Sequence, residues 1–173
     1  MAEMVDMAMG GIPQVESSSE MDGKYLTFFT ENQLFGVPIA DVVQIVGMQE
    51  ITEVPEFPGY AKGIINLRGS IIPVIDVRLR FGKAEKAYDE RTCIIVTLIH
   101  DTAVGFIVDA VDAVTDIDND NISEPPKMSG DYSSSYLTGI AKHEGKVVLL
   151  MDTQRLLSDE VVSSLTTTPP VAV

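Results

Sequence analysis

Basic residues are scarce in this chain. Lys and Arg number 12 against 26 Asp and Glu in 173 residues, a formal net charge of −14. Nucleic-acid binding draws on clustered Lys and Arg, so that class is excluded, and docking on anionic membrane surfaces with it. Cysteine is scarcer still. The single Cys93 permits neither an internal disulfide nor a cysteine cluster for a metal, and within "TCIIVTLI" its thiol reads as a small buried hydrophobe. The two histidines, His100 and His143, both fall at expected turns, with no Ser or Cys nucleophile in an elbow context beside them. No apolar run reaches the ~18 to 20 residues that span a bilayer. The opening "MAEMVDMAMGG" lacks the basic start and unbroken apolar stretch of a signal peptide. A cytoplasmic protein is expected.

The motifs of catalysis are missing as well. There is no G-x-x-x-x-G-K-[ST], no G-x-G-x-x-G and no H-E-x-x-H. The string "DIDNDNISEPPK" starts like a calcium loop, with Asp116, Asp118 and Asp120 at alternate positions. Asn121 then stands where the loop needs its glycine, and Lys127 where it needs a closing glutamate, so the match fails. Asp76, in "PVIDVR", suggests a phosphoacceptor at a strand end, but such a site needs long helices around a parallel sheet, and none is foreshadowed. No catalytic residue, metal or cofactor is expected. The chain reads as a protein other than an enzyme.

What the chain has is apolar residue in short, alternating segments. Hydrophobic residues make up 45%, enough for a sizeable core. Residues 1–22 carry five acids and no base, and read with 163–173 ("SLTTTPPVAV" at its end) as flexible tails around one folded region, 23–162. Period-two patterning predicts strands at Tyr25–Thr30, Leu34–Pro38, Gly63–Leu67, Ser70–Asp76, Thr92–His100, Ala103–Val108, Val111–Asp116, Gly139–Lys142 and Lys146–Met151. Turns fall at "TENQ", "LRGS", "HDTA" and "KHEGK". Short helices are expected at Ala40–Val46, Val77–Phe81 and Thr153–Leu157, the last with Asp152 as N-cap. Many short strands at hairpin spacing point to an all-β barrel or sandwich.

One stretch carries more. "GIINLRGSIIPVIDVRLRFG", residues 63–82, sets an arginine at the tip of an apolar hairpin and resembles the signature of the CheW family, adaptors of bacterial chemotaxis. "LFGVPIADVVQIV", "EVPEFPGYAKGIINLRG", "AVGFIVDAVDAV" and "SSSYLTGIAK" with "VVLLMDTQRLL" are similar to other family segments and follow in family order over roughly residues 24–158. The resemblance implies two small five-stranded β-barrel subdomains packed together, with a change-over near 82–91 and a hydrophobic groove between them. It also implies a role: coupling the cytoplasmic tip of a chemoreceptor to the regulatory domain of the CheA histidine kinase, without chemistry.

The resemblance places receptor binding at Ile39, Val42, Val43, Gln44, Gly63 and Arg68, and a kinase-facing role at Ser123, Lys127 and Met128. In the family the arginine at Arg68 pairs with an acid, but the aligned residue here is Gln44. Two readings of Arg68 stay open: a clasp for a neighbouring loop, through Gln44, Glu50 or Glu53, or a fork of donors offered to a partner's carboxylate. Two other functions remain in view, the equivalent adaptor of a surface-motility or pilus system and a β-barrel that binds a small ligand in the groove.

Overall fold

Four pairs of left-handed residues organise the chain in the computed structural model, which describes residues 23–125, 136–157 and 159–166. Glu31–Asn32, Arg68–Gly69, His100–Asp101 and Glu144–Gly145 all have positive φ, between 50° and 92°. Two consecutive residues of this kind make the hairpin turn whose twist matches that of the flanking strands. Each pair joins two antiparallel neighbours: β1 (Lys24–Thr30) to β2 (Gln33–Pro38), β4 (Ala61–Leu67) to β5 (Ser70–Asp76), β6 (Cys93–Ile99) to β7 (Thr102–Val108), and β10 (Leu137–His143) to β11 (Lys146–Met151). All four turns expected from the sequence are there.

The remaining strands are β3 (Val42–Gly47), β8 (Ala110–Asp116) and the short β9 (Ile122–Ser123). The first sheet has the order β8-β1-β2-β11-β10-β9 and the second β3-β6-β7-β5-β4. Both curl. In the first, the edge strands β8 and β9 are joined by residues 117–121, which include a 3-10 turn. A flat six-stranded sheet would hold its edges about 24 Å apart, more than such a connection spans. In the second, Thr52, just beyond β3 at one edge, exchanges two backbone hydrogen bonds (2.9 and 2.8 Å) with Ile64 of β4 at the other.

Strands buried on both faces explain the continuous apolar runs. Ile65, Ile72, Val74, Ile94, Val96 and Ile107 pack inside the second sheet. Leu34, Ile117, Ala141, Val148 and Leu150 pack inside the first. Residues of the alternate register, including Phe28, Phe35, Ile75, Ile95 and Phe106, form a third and largest cluster shared by the two sheets. The architecture is the expected all-β one of two packed sheet subdomains, with six strands in the first where five were expected, because β9 adds to β10.

The structure corrects three expectations. The chain does not change over near 82–91, since β5 and β6 on either side belong to one sheet. It crosses twice, at the 3-10 turn Ile39–Asp41 and at Asp109, between elements with no break in apolar pattern. Residues 82–91, mostly exposed, are a surface connection between two strands of the second sheet. Second, Ala40–Val46 is not a helix but mostly β3. A bulge between Val42 and Gln44 inserts one residue against β6, so Val42 and Ile45, three apart, face the same way and imitate helical spacing. Third, a helix occupies Asp159–Thr166, reaching four residues into the tail expected from 163, because Val162 and Leu165 find cover in the shared cluster. The tail 1–22 lies outside the described residues. The other helical expectations hold in shorter form, as α1 (Val77–Arg80) and a 3-10 turn at Thr153–Arg155 whose Asp152 caps Gln154 N at 2.9 Å. The helix Asp159–Thr166 is α2.

Candidate functional site

The hairpin β4–β5 presents Arg68. Its φ of 55° is a conformation in which Gly or Asn is at home and a long side chain is uncommon. Asn66 supports the turn by accepting a hydrogen bond from Gly69 N (2.8 Å). Arg68 itself is exposed and makes no hydrogen bond or ion pair among the described residues. The clasp reading therefore fails: neither Gln44 nor Glu50 nor Glu53 holds the guanidinium. Across the hairpin Ile71, paired with Asn66, is 60% exposed. An unengaged cation and an exposed aliphatic chain share one rigid tip.

Gly63 fixes the base of this hairpin. It is buried, has φ of 146°, and sits where the backbone of Thr52 crosses β4. It acts by positioning and offers a partner no side chain. The β3 residues divide along the bulge. Val43, the inserted residue, is 47% exposed, and Gln44 is half-buried. Ile39 and Val42 are 3% and 6% exposed and pack in the shared cluster. Val42→Ala should accordingly cost about 2 kcal/mol in urea unfolding, the loss of two buried carbons plus a cavity. Val43→Ala should stay within about 0.5 kcal/mol. Equal effects would place both on the same face.

Ser123 is exposed on β9, beside Ile140 of β10. Lys127 and Met128 lie outside the described residues. Asp76 is no phosphoacceptor. Buried at 1% exposure, it accepts hydrogen bonds from Arg78 N (2.9 Å) and the Tyr88 hydroxyl (2.8 Å). Burial and the Asp76 charge push the Tyr88 phenol well above its ordinary range. Asp116, the first of the calcium-like string, pairs with Lys24 at 2.8 Å. Among the described residues no three His, Cys, Asp or Glu are placed to hold a metal. Burial pushes the Cys93 thiol up, as befits a core residue. No helix among the described residues is long and apolar enough to cross a membrane. Where Phe28, Val37, Ile95 and Phe106 meet between the sheets, the free volume is about 10 Å³, enough for a water at most.

The sequence profile of the CheW-like domain matches residues 24–161. The chain belongs to the CheW-like family. Among its relatives, the chemotaxis protein CheW of Klebsiella aerogenes is 34% identical over 137 residues, 79% of this chain and 82% of that protein. The probable chemotaxis protein CheW of Rhizobium etli is 31% identical over 145 residues, 84% and 94% of the two chains. Protein FrzA of Myxococcus xanthus is more distant, 25% identical over 136 residues. The crystal structure of the scaffolding protein TtCheW from Thermoanaerobacter tengcongensis superposes with a TM-score of 0.73 at 36% identity, covering 80% of this chain and 94% of that one. The CheW-like profile ends before Val162, so the later turns of α2 lie past the matched region.

Two features of this CheW-like chain escaped the sequence reading. One is the exposure of Ile71, since an isoleucine in an apolar run gives no sign that its strand ends in water. The other is an ion-pair cluster in which Arg78 binds Asp109 through Nε (2.9 Å) and Nη2 (2.6 Å) and Glu31 through Nη1. Its members lie 31 and 47 residues from Arg78, beyond any local motif.

Proposed function

We propose that this CheW-like chain is a chemotaxis adaptor, which couples the cytoplasmic tips of chemoreceptors to a CheA-type histidine kinase through its regulatory domain and catalyses no reaction. Arg68 carries the reading. A left-handed arginine costs about 1 kcal/mol relative to glycine at such a position, and with no internal partner among the described residues to compensate, its use is outward. Its planar donors suit a carboxylate on the partner, and Ile71 beside it supplies apolar contact. Val43 and Gln44 extend the receptor-facing surface along β3. Ser123, with Lys127 and Met128 beyond it, is the proposed kinase-facing element. The relatives named as chemotaxis CheW proteins and the scaffolding protein of similar fold support the adaptor class over a ligand-binding barrel.

Arg68→Glu tests it. The variant should lose at least about tenfold in binding to a soluble chemoreceptor cytoplasmic fragment, measured by pull-down and titration with and without kinase. Its melting temperature should move by no more than about 2 °C, because nothing internal is broken. Unchanged binding by a folded variant would refute the assignment.

A further inference from the structure

The apolar face between the two sheets is closed in this structure, and part of what closes it is the chain's own C-terminal helix. Val162 and Leu165 of α2 stand three residues apart, hence on one side of the helix, and each is 4% exposed. They belong to the same packed cluster as Ile39, Val42 and Ile45. On the far side Ser163 and Ser164 are exposed. A helix buries one side only by lying over something. Val162 and Leu165 are dry because the shared cluster is beneath them, and the cluster is dry there because the helix is above it.

The stretch leading to α2 is held differently. Gln154 donates to Leu98 O (2.7 Å) and accepts from His100 N (2.9 Å). Arg80 Nε donates to Leu156 O (2.8 Å), with the guanidinium stacked 5.5 Å from the Tyr60 ring centroid. These bonds moor the chain as far as Leu156, whatever α2 does. Past that mooring, α2 adds an apolar contact. At eight residues it is too short to persist as an isolated helix in water, so leaving the cluster and unwinding are one event.

We propose that α2 is a displaceable cover: it occupies the apolar inter-sheet face that a partner's helix takes, and it leaves when that helix docks. The proposal rests on the adaptor reading above and adds regulation to it. An amphipathic helix with aliphatic residues at i and i+3 has the chemistry of a helix-in-groove ligand, so α2 and a coiled-coil partner compete for like contacts. Because α2 is tethered, modest intrinsic affinity suffices to keep it in place, and the partner's apparent affinity falls by the fraction of molecules that are open.

The test compares the full chain, a chain ended after Leu157, and the full chain carrying Val162→Ser with Leu165→Ser. Each is titrated with a soluble coiled-coil hairpin fragment of a chemoreceptor cytoplasmic region, and circular dichroism checks folding. Both altered proteins should bind about tenfold more tightly than the parent, the release of a cover closed roughly nine-tenths of the time. In the unmodified full chain, saturating fragment should strip hydrogen-exchange protection from the amides of 159–166. That arm decides the matter even where an altered protein fails to fold. Affinities equal within twofold, weaker binding by folded variants, or α2 amides still protected at saturation would each overturn the cover while leaving the adaptor reading intact. If no form binds the fragment, both readings fall together.

Discussion

Gly63→Ala is expected to melt about 10 °C below the parent protein, far more than one added methyl usually costs. A Cβ at Gly63 would lie 2.1 Å from Thr52 O, 2.8 Å from Thr52 C and 3.0 Å from Glu53 Cα. All three are backbone atoms, so no rotamer relieves the clash. The φ of 146° adds strain for any residue with a side chain. Separating the two segments breaks the pair of hydrogen bonds between Thr52 and Ile64 that joins the edges of the second sheet. Strain of roughly 1 to 3 kcal/mol and two bonds at about 1 kcal/mol each give a loss of about 3 to 5 kcal/mol. At this chain length each kcal/mol moves the melting temperature by about 2 to 4 °C. Gly69→Ala is the control. Its φ of 92° is also left-handed, but nothing lies within 4 Å of its added carbon, so it should cost only about 1 kcal/mol. Calorimetry on the two variants checks the argument. Equal losses would show that backbone conformation, and not the crossing of Thr52, sets the requirement at Gly63. Since the same crossing seats the hairpin that carries Arg68, Gly63→Ala should also weaken receptor binding if Arg68 is the contact proposed above.

How much of this was legible depended on the range of each cause. The hairpins were visible because two adjacent residues make them: "HDTA" and "KHEGK" need no information from elsewhere in the chain. Arg68 stood out for the same reason, at a turn between apolar runs. The nature of β3 was hidden by its bulge. One inserted residue turned a strand's alternation into the three-residue spacing of Val42 and Ile45, and only the register against β6 reveals it. The burial of Ile39 and Val42 was hidden for a different reason. Which of several valines is covered depends on what packs over them, and the cluster they join includes residues more than a hundred positions later. With Val161, Val162 and Leu165 as its apolar residues, and "TTTPP" following, α2 carries too weak a pattern to be read as an element. The crossings between sheets left no mark either, because strands buried on both faces keep one composition whichever sheet they join.

The largest effect outside the hairpin should come from Arg78, the residue that ties the two sheets together. Arg78 lies on α1 after the second sheet's β5. Its guanidinium meets Asp109 at the crossing from β7 to β8 and Glu31 in the β1–β2 turn of the first sheet. Asp109 also accepts a hydrogen bond from Glu31 N (3.0 Å), which holds that turn. Arg78→Ala leaves two neighbouring carboxylates without their cation, one of them mostly buried, and should cost about 3 kcal/mol at pH 7. Arg78→Lys should cost less, keeping the charge but losing the fork. Acidity supplies the discriminating measurement. Burial alone would raise the Asp109 carboxyl, but the hydrogen bonds and charge of Arg78 outweigh it and hold the group below the usual carboxylate range. A carboxyl depressed in the folded state contributes stability that is complete above its unfolded pKa of about 3.9 and is lost as pH falls through the folded value. In Arg78→Ala the share of that depression owed to Arg78 is gone and only the Glu31 N–H and the charge of Lys86 still oppose burial, so the Asp109 carboxyl takes up its proton at higher pH than in the parent. The gap between parent and variant should therefore be widest near neutrality and shrink as the pH drops below about 4. Urea unfolding of both proteins from pH 7 to pH 3 reads this directly. A gap that stays constant across the range would mean that Arg78 stabilises the chain by packing its side-chain stem, and that the ion pairs with Asp109 and Glu31 contribute nothing to holding the sheets together.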